Sequence, residues 1–495
     1  MNRLLNAIKE ENNFKYTENG AIAVKSTMNG IMDLFALGGA YRSRSDADCI
    51  TLFEKAWKED PVYALKCLFY LRDCRGGQGE RRFFRVIIKH MAYKHTAEMR
   101  RNLIYIPEFG RWDDLYTFIG TPLDTDVFNI IKHQLALDVE CKTPSLLAKW
   151  LKSENTSSVE SRRLATMTRR YLHMTSREYR KTLSVLRERI KVLERLMSAN
   201  RWDEIEFDKI PSKAGLIYRN VFATKDITKA RYEKFAKDTT TKVNAGVLNP
   251  CDVVAKALHE SGKKLDDPTR LMVNKYWDNL ADYFHNAIFD GVAVVDTSGS
   301  MTWGANSIQP IHVAIALGMY CAEKCNPKSP WYGHYISFSR RARLVPIEGA
   351  DFVDKVWRIE RANLCENTNI ESVFDLLLRQ AISHHIPNSE MPKNVVIISD
   401  MEFDAATRQY GYISTDVNTL MEGIMKNWKA HGYTAPHLVF WNVSARNDTI
   451  PMRDNGNVTF VSGYSATLFE SLMTGKTGWD LVKEKLDSKR YSVIH

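Results

Sequence analysis

The sequence predicts a two-part protein, with an α-helical first part followed by an α/β second part. Residues from about 25 to 285 carry apolar side chains at helical spacing. From residue 291 onward, short apolar runs of strand type alternate with helical patterns. Such alternation is typical of a mostly parallel, doubly wound sheet with helices on both faces. We therefore expect a helical domain at residues 1–288 and a sheet domain at residues 289–495.

The helical part contains long amphipathic segments joined by short turns rich in Gly, Pro and Asn. Helical spacing is clear from Asp46 to Phe69, from Arg81 to Ala92 and from Ser176 to Met197, the last expected as one helix. Helices of this length with short turns indicate a solenoid of antiparallel pairs.

The sheet part is expected to contain six strands and five helices. The strands are expected at 291–295, 334–338, 343–347, 394–398, 437–442 and 458–462. The helices are expected near 308–325, 351–361, 370–385, 416–431 and 466–473. The second and third strands are close enough for a hairpin, and Arg340 and Arg341 at its turn indicate a charged sheet edge.

The stretch from Gly291 to Ser300 is the most informative in the chain. Its apolar strand ends abruptly in Asp296, Ser298 and Ser300. Ligands of open α/β sheets bind at the carboxyl ends of strands, and these three side chains offer oxygens to a hard divalent cation. The alternative is a polar turn in which one serine caps the next helix.

Two other segments supply further oxygens to the same edge. Thr368 precedes a helical pattern, where its hydroxyl can act as a cap or as a ligand. Asp400 ends a second buried apolar strand and would lie beside Asp296 if the two strands are neighbours.

Together, these five residues resemble the metal-ion-dependent adhesion site of von Willebrand factor A domains. The resemblance implies a Mg²⁺ (or Mn²⁺) ion held by Ser298, Ser300 and Thr368, with Asp296 and Asp400 binding directly or through water. It also implies a protein partner whose acidic residue completes the octahedron. The family pattern has two glycines before the threonine, whereas this chain has Glu366-Asn367 there. A second departure is Met401-Glu402 in place of a glycine after Asp400.

The basic charge is confined to the helical part. Residues 1–290 carry 49 Lys and Arg against 38 Asp and Glu, whereas residues 291–495 carry 20 against 21. The net charge of +10 therefore belongs to the first part, which suggests a polyanionic partner.

The segment 161–195 concentrates this charge, with aromatic residues between its arginines. Guanidinium groups bind phosphates and aromatic rings stack on unpaired bases, so the segment indicates RNA binding; a solvated helix face is the alternative. The candidate RNA-binding residues are Arg162, Arg163, Arg169, Arg170, Arg177, Arg180, Lys181 and Arg187.

Several motifs, all but one of them in the helical part, carry a second resemblance. They are the glycine-rich loop 71–82, the connections 107–115 and 148–157, the segments 179–187 and 209–214, and the terminal Lys489-Arg490-Tyr491. Together they resemble the uncharacterised DUF2828 family. The architecture also resembles Ro autoantigen proteins, in which a ring of HEAT-like helices (the TROVE module) precedes a von Willebrand factor A domain. This likeness implies a ribonucleoprotein that binds small non-coding RNA, including single-stranded ends.

Other function classes find little support. The eight cysteines show no zinc spacing, and the thirteen histidines show no catalytic spacing. No apolar stretch is long enough for a membrane span, and a signal-peptide core is lacking, so a cytoplasmic location without membrane contact is expected. The sequence thus predicts a non-enzymatic, Ro-like RNA-binding scaffold with a divalent-metal site for a partner. The alternative is a metal-dependent protein-interaction module, such as an ATPase partner or a viral assembly factor, without RNA.

Overall fold

The computed structural model describes residues 9, 12–302, 308–338, 341–362, 367–405 and 419–495. Glu366 and Arg340 lie outside the described residues. Within them, the chain is a mixed α/β protein, helical in its first part and built on a six-stranded sheet in its second. This coarse architecture confirms the prediction, while the HEAT-like solenoid or ring and the von Willebrand factor A identity stay predictions.

The first part begins with a small hairpin and continues as helices. The hairpin pairs β1 (Phe14–Tyr16) with β2 (Ile22–Val24). The helices that follow are α1 (Gly30–Leu37), α2 (Asp46–Glu59), α3 (Pro61–Arg72), α4 (Arg82–Lys94), α5 (Thr96–Asn102), α6 (Ile106–Phe109), α7 (Asp124–Glu140), α8 (Leu147–Trp150), α9 (Val159–Tyr171), α10 (Ser176–Arg189), α11 (Leu193–Ser198), α12 (Ser212–Thr224), α13 (Asp226–Lys237), α14 (Pro250–Glu260) and α15 (Pro268–Asp278).

Local sequence signals set the ends of these helices. Ser45 and Asp48 form a reciprocal capping box at the start of α2. Asp60 ends α2 and caps α3, whose first residue is Pro61, so the expected helical run from residue 46 to 69 is two helices. Consecutive helices then pack as neighbours, as α2 does with α3 and α14 with α15.

The expectation of one helix from Ser176 to Met197 is wrong. Helix α10 ends at Arg189, and Lys191 adopts a left-handed conformation with φ of 49°. The amide of Lys191 donates to the Glu188 carbonyl and the amide of Val192 donates to the Arg187 carbonyl. These two bonds are the Schellman pattern that terminates a helix.

The six-stranded sheet forms the second part. Its strands are β3 (Gly291–Asp296), β4 (His334–Phe338), β5 (Arg343–Pro346), β6 (Asn394–Ser399), β7 (His437–Asn442) and β8 (Val458–Ser462). Their spatial order is β5-β4-β3-β6-β7-β8, with all pairs parallel except the edge hairpin β4–β5. Every residue of β3 is buried, so both faces of the sheet centre are covered.

Six described helices accompany the strands of the second part; five lie where helices were expected, and the sixth, Gly478–Leu486, was not predicted. They are α16 (Pro310–Lys324), α17 (Phe352–Arg361), α18 (Glu371–Ser383), α19 (Leu420–Ala430), α20 (Leu468–Leu472) and α21 (Gly478–Leu486). Helix α16 packs on β3, β4 and β6. Among the described helices, none is long and apolar enough to cross a membrane.

The two ends of the chain cross between the parts. Helix α1 packs on β7 and β8, and a Cβ atom at Gly39 would lie 2.9 Å from the Ser462 carbonyl group. At the other end, Arg490 and Tyr491 both donate hydrogen bonds to Asp73 in the helical part. Thus the N-terminal helix packs on the sheet part, and the C-terminal residues pack on the helical part.

Candidate metal-binding and RNA-binding sites

The candidate metal site lies where the direction of chain winding reverses across the sheet. From β3 the chain adds strands β4 and β5 on one side, and β6, β7 and β8 then extend the other side. Strands β3 and β6 are parallel neighbours, with Val295 opposite Ile398. Their carboxyl ends therefore meet at a switch point, where open α/β sheets bind ligands.

Asp296 is the last residue of β3 and is fully buried. One carboxylate oxygen accepts a hydrogen bond from the Ser298 amide at 2.9 Å. The other accepts from the Ser399 hydroxyl at 2.5 Å. The β3 and β6 ends thus share a direct side-chain contact through this carboxylate.

The two serines after β3 present their hydroxyls together. The Oγ atoms of Ser298 and Ser300 lie 3.1 Å apart. Adjacent ligands of an octahedral Mg²⁺, with bonds of about 2.1 Å, are about 3.0 Å apart. The spacing of the two hydroxyls therefore fits one coordination sphere.

Asp400 and Thr368 approach the same edge from other loops. Asp400 is buried, and its Oδ2 accepts from Nη2 of Arg446 at 3.0 Å. Thr368 is also buried, and its carbonyl accepts from the Asp404 amide at 2.9 Å, which ties its loop to the loop after β6. We call Asp296, Ser298, Ser300, Thr368 and Asp400 the oxygen cluster.

The charge in this cluster is poorly compensated. Burial, together with the neighbouring Asp400 carboxylate, raises the pKa of Asp296 to about 7. A divalent cation between the two carboxylates would favour the charged forms of both, and the donors of the cluster are all oxygens of the kind that Mg²⁺ and Mn²⁺ prefer. The residues present therefore fit such an ion.

Three neighbours of the cluster were not identified from the sequence. Ser399 bonds to Asp296, Arg446 pairs with Asp400, and Glu402 is a further buried carboxyl beside Asp400. The Met401-Glu402 departure was the available signal for Glu402. Met401 has a left-handed φ of 67°, a conformation that glycine adopts without strain.

The N-terminal hairpin covers the loop after β6. The Thr17 hydroxyl donates to the Phe403 carbonyl at 2.6 Å, and the Glu18 amide donates to the Glu402 carboxylate at 2.7 Å. Glu18 also pairs with Arg446 at 2.7 Å. The hairpin therefore holds the loop that carries Asp400.

The eight candidate RNA-binding residues fall into two groups on α9 and α10. Arg169 and Arg187 are half-buried and bonded within the fold: Arg169 pairs with Glu154, and Arg187 donates to the carbonyls of Ala148 and Leu151 and to the Ser153 hydroxyl. The other six are exposed: Arg162, Arg163, Arg170, Arg177, Arg180 and Lys181.

Three of the exposed six have no internal role among the described residues. The side chains of Arg170, Arg177 and Lys181 form no hydrogen bond or ion pair there, whereas Arg163 pairs with Glu160 at 2.7 Å. Unpaired cationic side chains on adjacent helices are available for phosphate groups.

A second basic surface, which the sequence did not reveal, is a cavity of about 1080 Å³ between the two parts. Of the residues that the structure describes, six Arg and Lys side chains line it against three carboxylates, and Tyr464 of the sheet part forms one wall. The glycine-rich loop contributes Arg81 and Arg82. Arg81 and Lys89 have no side-chain partner among the described residues. We call this space the basic cavity.

Comparison with known proteins gives the family but no activity. The profile described as "Domain of unknown function (DUF2828)" matches residues 17–163 and 133–287, which together span more than half of the chain. The profile "Domain of unknown function (DUF7788)" matches residues 290–492.

Two individual proteins are similar over most of the chain. Uncharacterized protein L728 of Acanthamoeba polyphaga mimivirus is 29% identical and aligns with 94% of this chain and 85% of its own. The Ro (RSR) protein of Deinococcus radiodurans aligns with 93% of this chain and 99% of its own, at 13% identity and a TM-score of 0.43. From the profile match over its helical part, the chain belongs to the DUF2828 family.

Proposed function

We propose that this protein is a non-catalytic, Ro-like scaffold that binds non-coding or single-stranded RNA through its helical part. The observation that carries the proposal is a set of exposed cationic side chains on α9 and α10 that pair with none of the described residues: Arg170, Arg177 and Lys181. They belong to the half of the chain that holds the whole basic excess. Neutralising phosphates there releases counterions, which favours binding without base specificity.

The basic cavity supports the same function with a second surface. Arg81 and Lys89 project into it without a carboxylate partner among the described residues. The cavity is large enough for a few unpaired nucleotides but not for a duplex, whose grooves and backbone need a broader face. The cavity would take a single-stranded end while α9 and α10 hold the flanking backbone.

A salt series of RNA binding tests this function. With four to six phosphate contacts, log K against log salt should slope at about −3 to −4 for a single strand, at about 0.7 per contact. The double variant Arg170→Glu/Arg177→Glu should lower the affinity for all RNA sequences alike and flatten the slope by about 1.4.

The control carries the same charge change on the sheet part, where Arg341 and Arg379 are also exposed. Arg341→Glu/Arg379→Glu should leave the slope near its original value. Equal effects of the two double variants, or no RNA binding by the unmodified protein at low salt, would contradict the proposal.

The second function that we propose is metal-dependent binding of a protein partner at the oxygen cluster. It is favoured by hydroxyls and carboxylates of three loops at the switch point, with two Oγ atoms 3.1 Å apart. A bound Mg²⁺ or Mn²⁺ would offer an open position to an acidic residue of the partner. Ser298, Ser300 and Thr368 would hold the ion, and Asp296 and Asp400 would balance its charge.

Titration with Mn²⁺, followed by electron paramagnetic resonance of the free ion, tests the second function. Asp296→Asn and Ser298→Ala should each weaken binding by about tenfold or more. Ser383→Ala, at the exposed end of α18, is the matched control and should bind as the unmodified protein does. Binding by Asp296→Asn equal to that of the control would refute a site in the oxygen cluster.

A further inference from the structure

A second group of metal-ligating side chains lies in the helical part, remote in sequence from the oxygen cluster. Glu54 projects from α2, His90 from α4, and His95 directly follows α4. Their ligand atoms all lie within 4.8 Å of one another. We call these three residues the Glu–His cluster.

One carboxylate oxygen is the centre of this cluster. The Nε2 atoms of His90 and His95 each lie 2.8 Å from Oε1 of Glu54. Both rings therefore direct a nitrogen at the same point. The other carboxylate oxygen, Oε2, accepts from Nζ of Lys94 at 3.0 Å. Oε1 is thus left to the two imidazoles.

The local fold aims both rings at Glu54. Residues five apart on a regular helix point in different directions, since each residue turns by about 100°. Here α4 ends at Lys94, and His95 has φ of −129° and ψ of 50°, which redirects its side chain toward α2. The ring of Trp57, with its centroid 4.1 Å away, packs against the His95 ring and fixes its position.

The charges of the cluster suit a cation. The Glu54 carboxylate accepts hydrogen bonds from His90, His95 and Lys94, so three polar groups already direct hydrogen atoms at its two oxygens. The carboxylate offers a negative charge to a cation, and two imidazoles in their neutral forms can add nitrogen lone pairs. Lys94 is about half exposed, so its ammonium group can move into solvent when a cation arrives.

We propose that Glu54, His90 and His95 bind a zinc-type transition-metal ion, with the fourth position open to solvent. Two imidazole nitrogens and one carboxylate oxygen form a ligand set that Zn²⁺ favours. In tetrahedral geometry with bonds of about 2.1 Å, ligand atoms are about 3.4 Å apart, so the 2.8 Å contacts need to open by about 0.6 Å.

Binding exchanges protons for the ion in a defined way. Each Nε2–H that now donates to Glu54 must lose its proton before the nitrogen can bind a metal. The proton is either released to solvent or carried by Nδ1 of the same ring, which gives the Nδ1-protonated tautomer. The three side chains are 13 to 20% exposed, so the cluster is mostly shielded but still reached by solvent. The site would join α2 to the junction of α4 and α5.

This inference does not depend on either proposed function. The oxygen cluster contains no nitrogen ligand and prefers hard cations, whereas the Glu–His cluster prefers Zn²⁺ and Co²⁺. The experiment therefore uses the full chain carrying Asp296→Asn, so that the oxygen cluster does not contribute to the signal.

Co²⁺ absorption and Zn²⁺ competition test the proposal. One equivalent of Co²⁺ should give the visible bands of a four-coordinate ion, and one equivalent of Zn²⁺ should abolish them. Glu54→Gln and His90→Gln retain hydrogen-bonding capacity but remove a ligand, and each should lower Zn²⁺ affinity by about 100-fold or more. His133→Gln, at an exposed position on α7, is the matched control and should bind Zn²⁺ as tightly as the protein without this substitution.

A crystal structure decides the matter if a variant folds poorly. A crystal of the unmodified chain grown with Zn²⁺ should show an anomalous peak at the zinc edge within bonding distance of all three side chains. A peak elsewhere, an absence of saturable Co²⁺ binding, or equal Zn²⁺ affinity in Glu54→Gln and His133→Gln would overturn the proposal, and the cluster would then be a hydrogen-bonded helix contact alone.

Discussion

Arg446 sets the charge balance of the oxygen cluster at the scale of single residues. It pairs with buried Asp400 at 3.0 Å and with Glu18 of the N-terminal hairpin at 2.7 Å. The Asp296 and Glu402 carboxyls are buried nearby. The Arg446 guanidinium therefore compensates part of the negative charge at a site in which several carboxyl groups have left water.

Replacing Arg446 by glutamine should destabilise the fold. Asp400 is 1% exposed and would lose its ionic partner, whereas Arg446 itself is 33% exposed, so we expect a loss of about 1 to 3 kcal/mol in the free energy of unfolding. Saturating Mg²⁺ should restore part of this loss, because the ion would replace the missing positive charge. Urea denaturation with and without Mg²⁺ measures both effects.

Arg358→Gln is the matched control for this substitution. Arg358 pairs with Asp354 on the surface of α17, and its loss should cost less than about 0.5 kcal/mol. If the two glutamine variants unfold at the same urea concentration, Arg446 does not have the role assigned to it.

Asp114 should be a second sensitive residue, because it is buried and accepts hydrogen bonds from two guanidinium groups. Arg72, itself buried, donates to Oδ2 at 2.9 and 2.7 Å, and Arg85 donates to Oδ1 at 2.7 Å. Asp114→Ala should lower the free energy of unfolding by about 3 to 5 kcal/mol, since it leaves a buried guanidinium unpaired. Thermal and urea unfolding measure the change, and a loss below about 1 kcal/mol would contradict this prediction.

At the scale of elements, the helices that carry the basic segment end by backbone geometry rather than by glycine. His173, Lys191 and Asn200 each have φ between 49° and 58° just after a helix. After α9 and α10, paired amide-to-carbonyl bonds of the Schellman type close the helix. The turns there are fixed although no glycine marks them in the sequence.

The same substitution should have opposite effects at two exposed lysines of this region. Lys191→Gly removes the strain of a left-handed non-glycine residue, although glycine also increases the freedom of the unfolded chain. The sum of the two effects should raise the free energy of unfolding by about 0.5 to 1 kcal/mol. Lys181→Gly, inside α10, should cost about 1 kcal/mol. Differential scanning calorimetry of both variants measures the shifts, and changes of equal sign would refute the assignment of Lys191 as the helix-terminating residue.

Sequence patterns predicted the strands of the sheet well, but they missed short elements and the points at which long helical runs break. The strand ends that carry Asp296 and Asp400 were predicted because continuous apolar runs stop there. The hairpin β1–β2 was missed because its strands have three residues each, too few for an alternating pattern. Arg187 was grouped with exposed arginines because a charge run does not reveal which member turns inward and donates hydrogen bonds to backbone carbonyls.

At the scale of the whole molecule, the chain ends cross between the helical and sheet parts. Helix α1 is buried along its whole length, and it packs on β7 and β8 although it precedes them by some 400 positions. The hairpin before it holds the loop after β6. The DUF7788 profile begins at residue 290, so the region that it matches lacks these covering segments.

A fragment of residues 289–495 should therefore be insoluble or only partly folded. Without α1, the fragment would expose the surface now covered by Ile31, Leu34 and Phe35. Burying each of these side chains stabilises the fold by about 1.5 to 3 kcal/mol. Joining residues 12–45 to this fragment through a flexible linker should restore cooperative unfolding. Solubility and urea denaturation of the two fragments test this, and a soluble, cooperatively unfolding 289–495 would contradict it.

Because the N-terminal segment packs on the sheet part, its contacts can form only late in synthesis. Thr17 cannot form its hydrogen bond until Phe403, 386 positions later, has been made. At about 5 to 20 residues per second, the ribosome needs roughly 20 to 80 seconds to produce that partner. During this interval the apolar face of α1 has no sheet to pack on, although the first helices are already able to fold. The newly made chain should therefore engage chaperones early through residues 30–37, and release from them should coincide with emergence of β7 and β8.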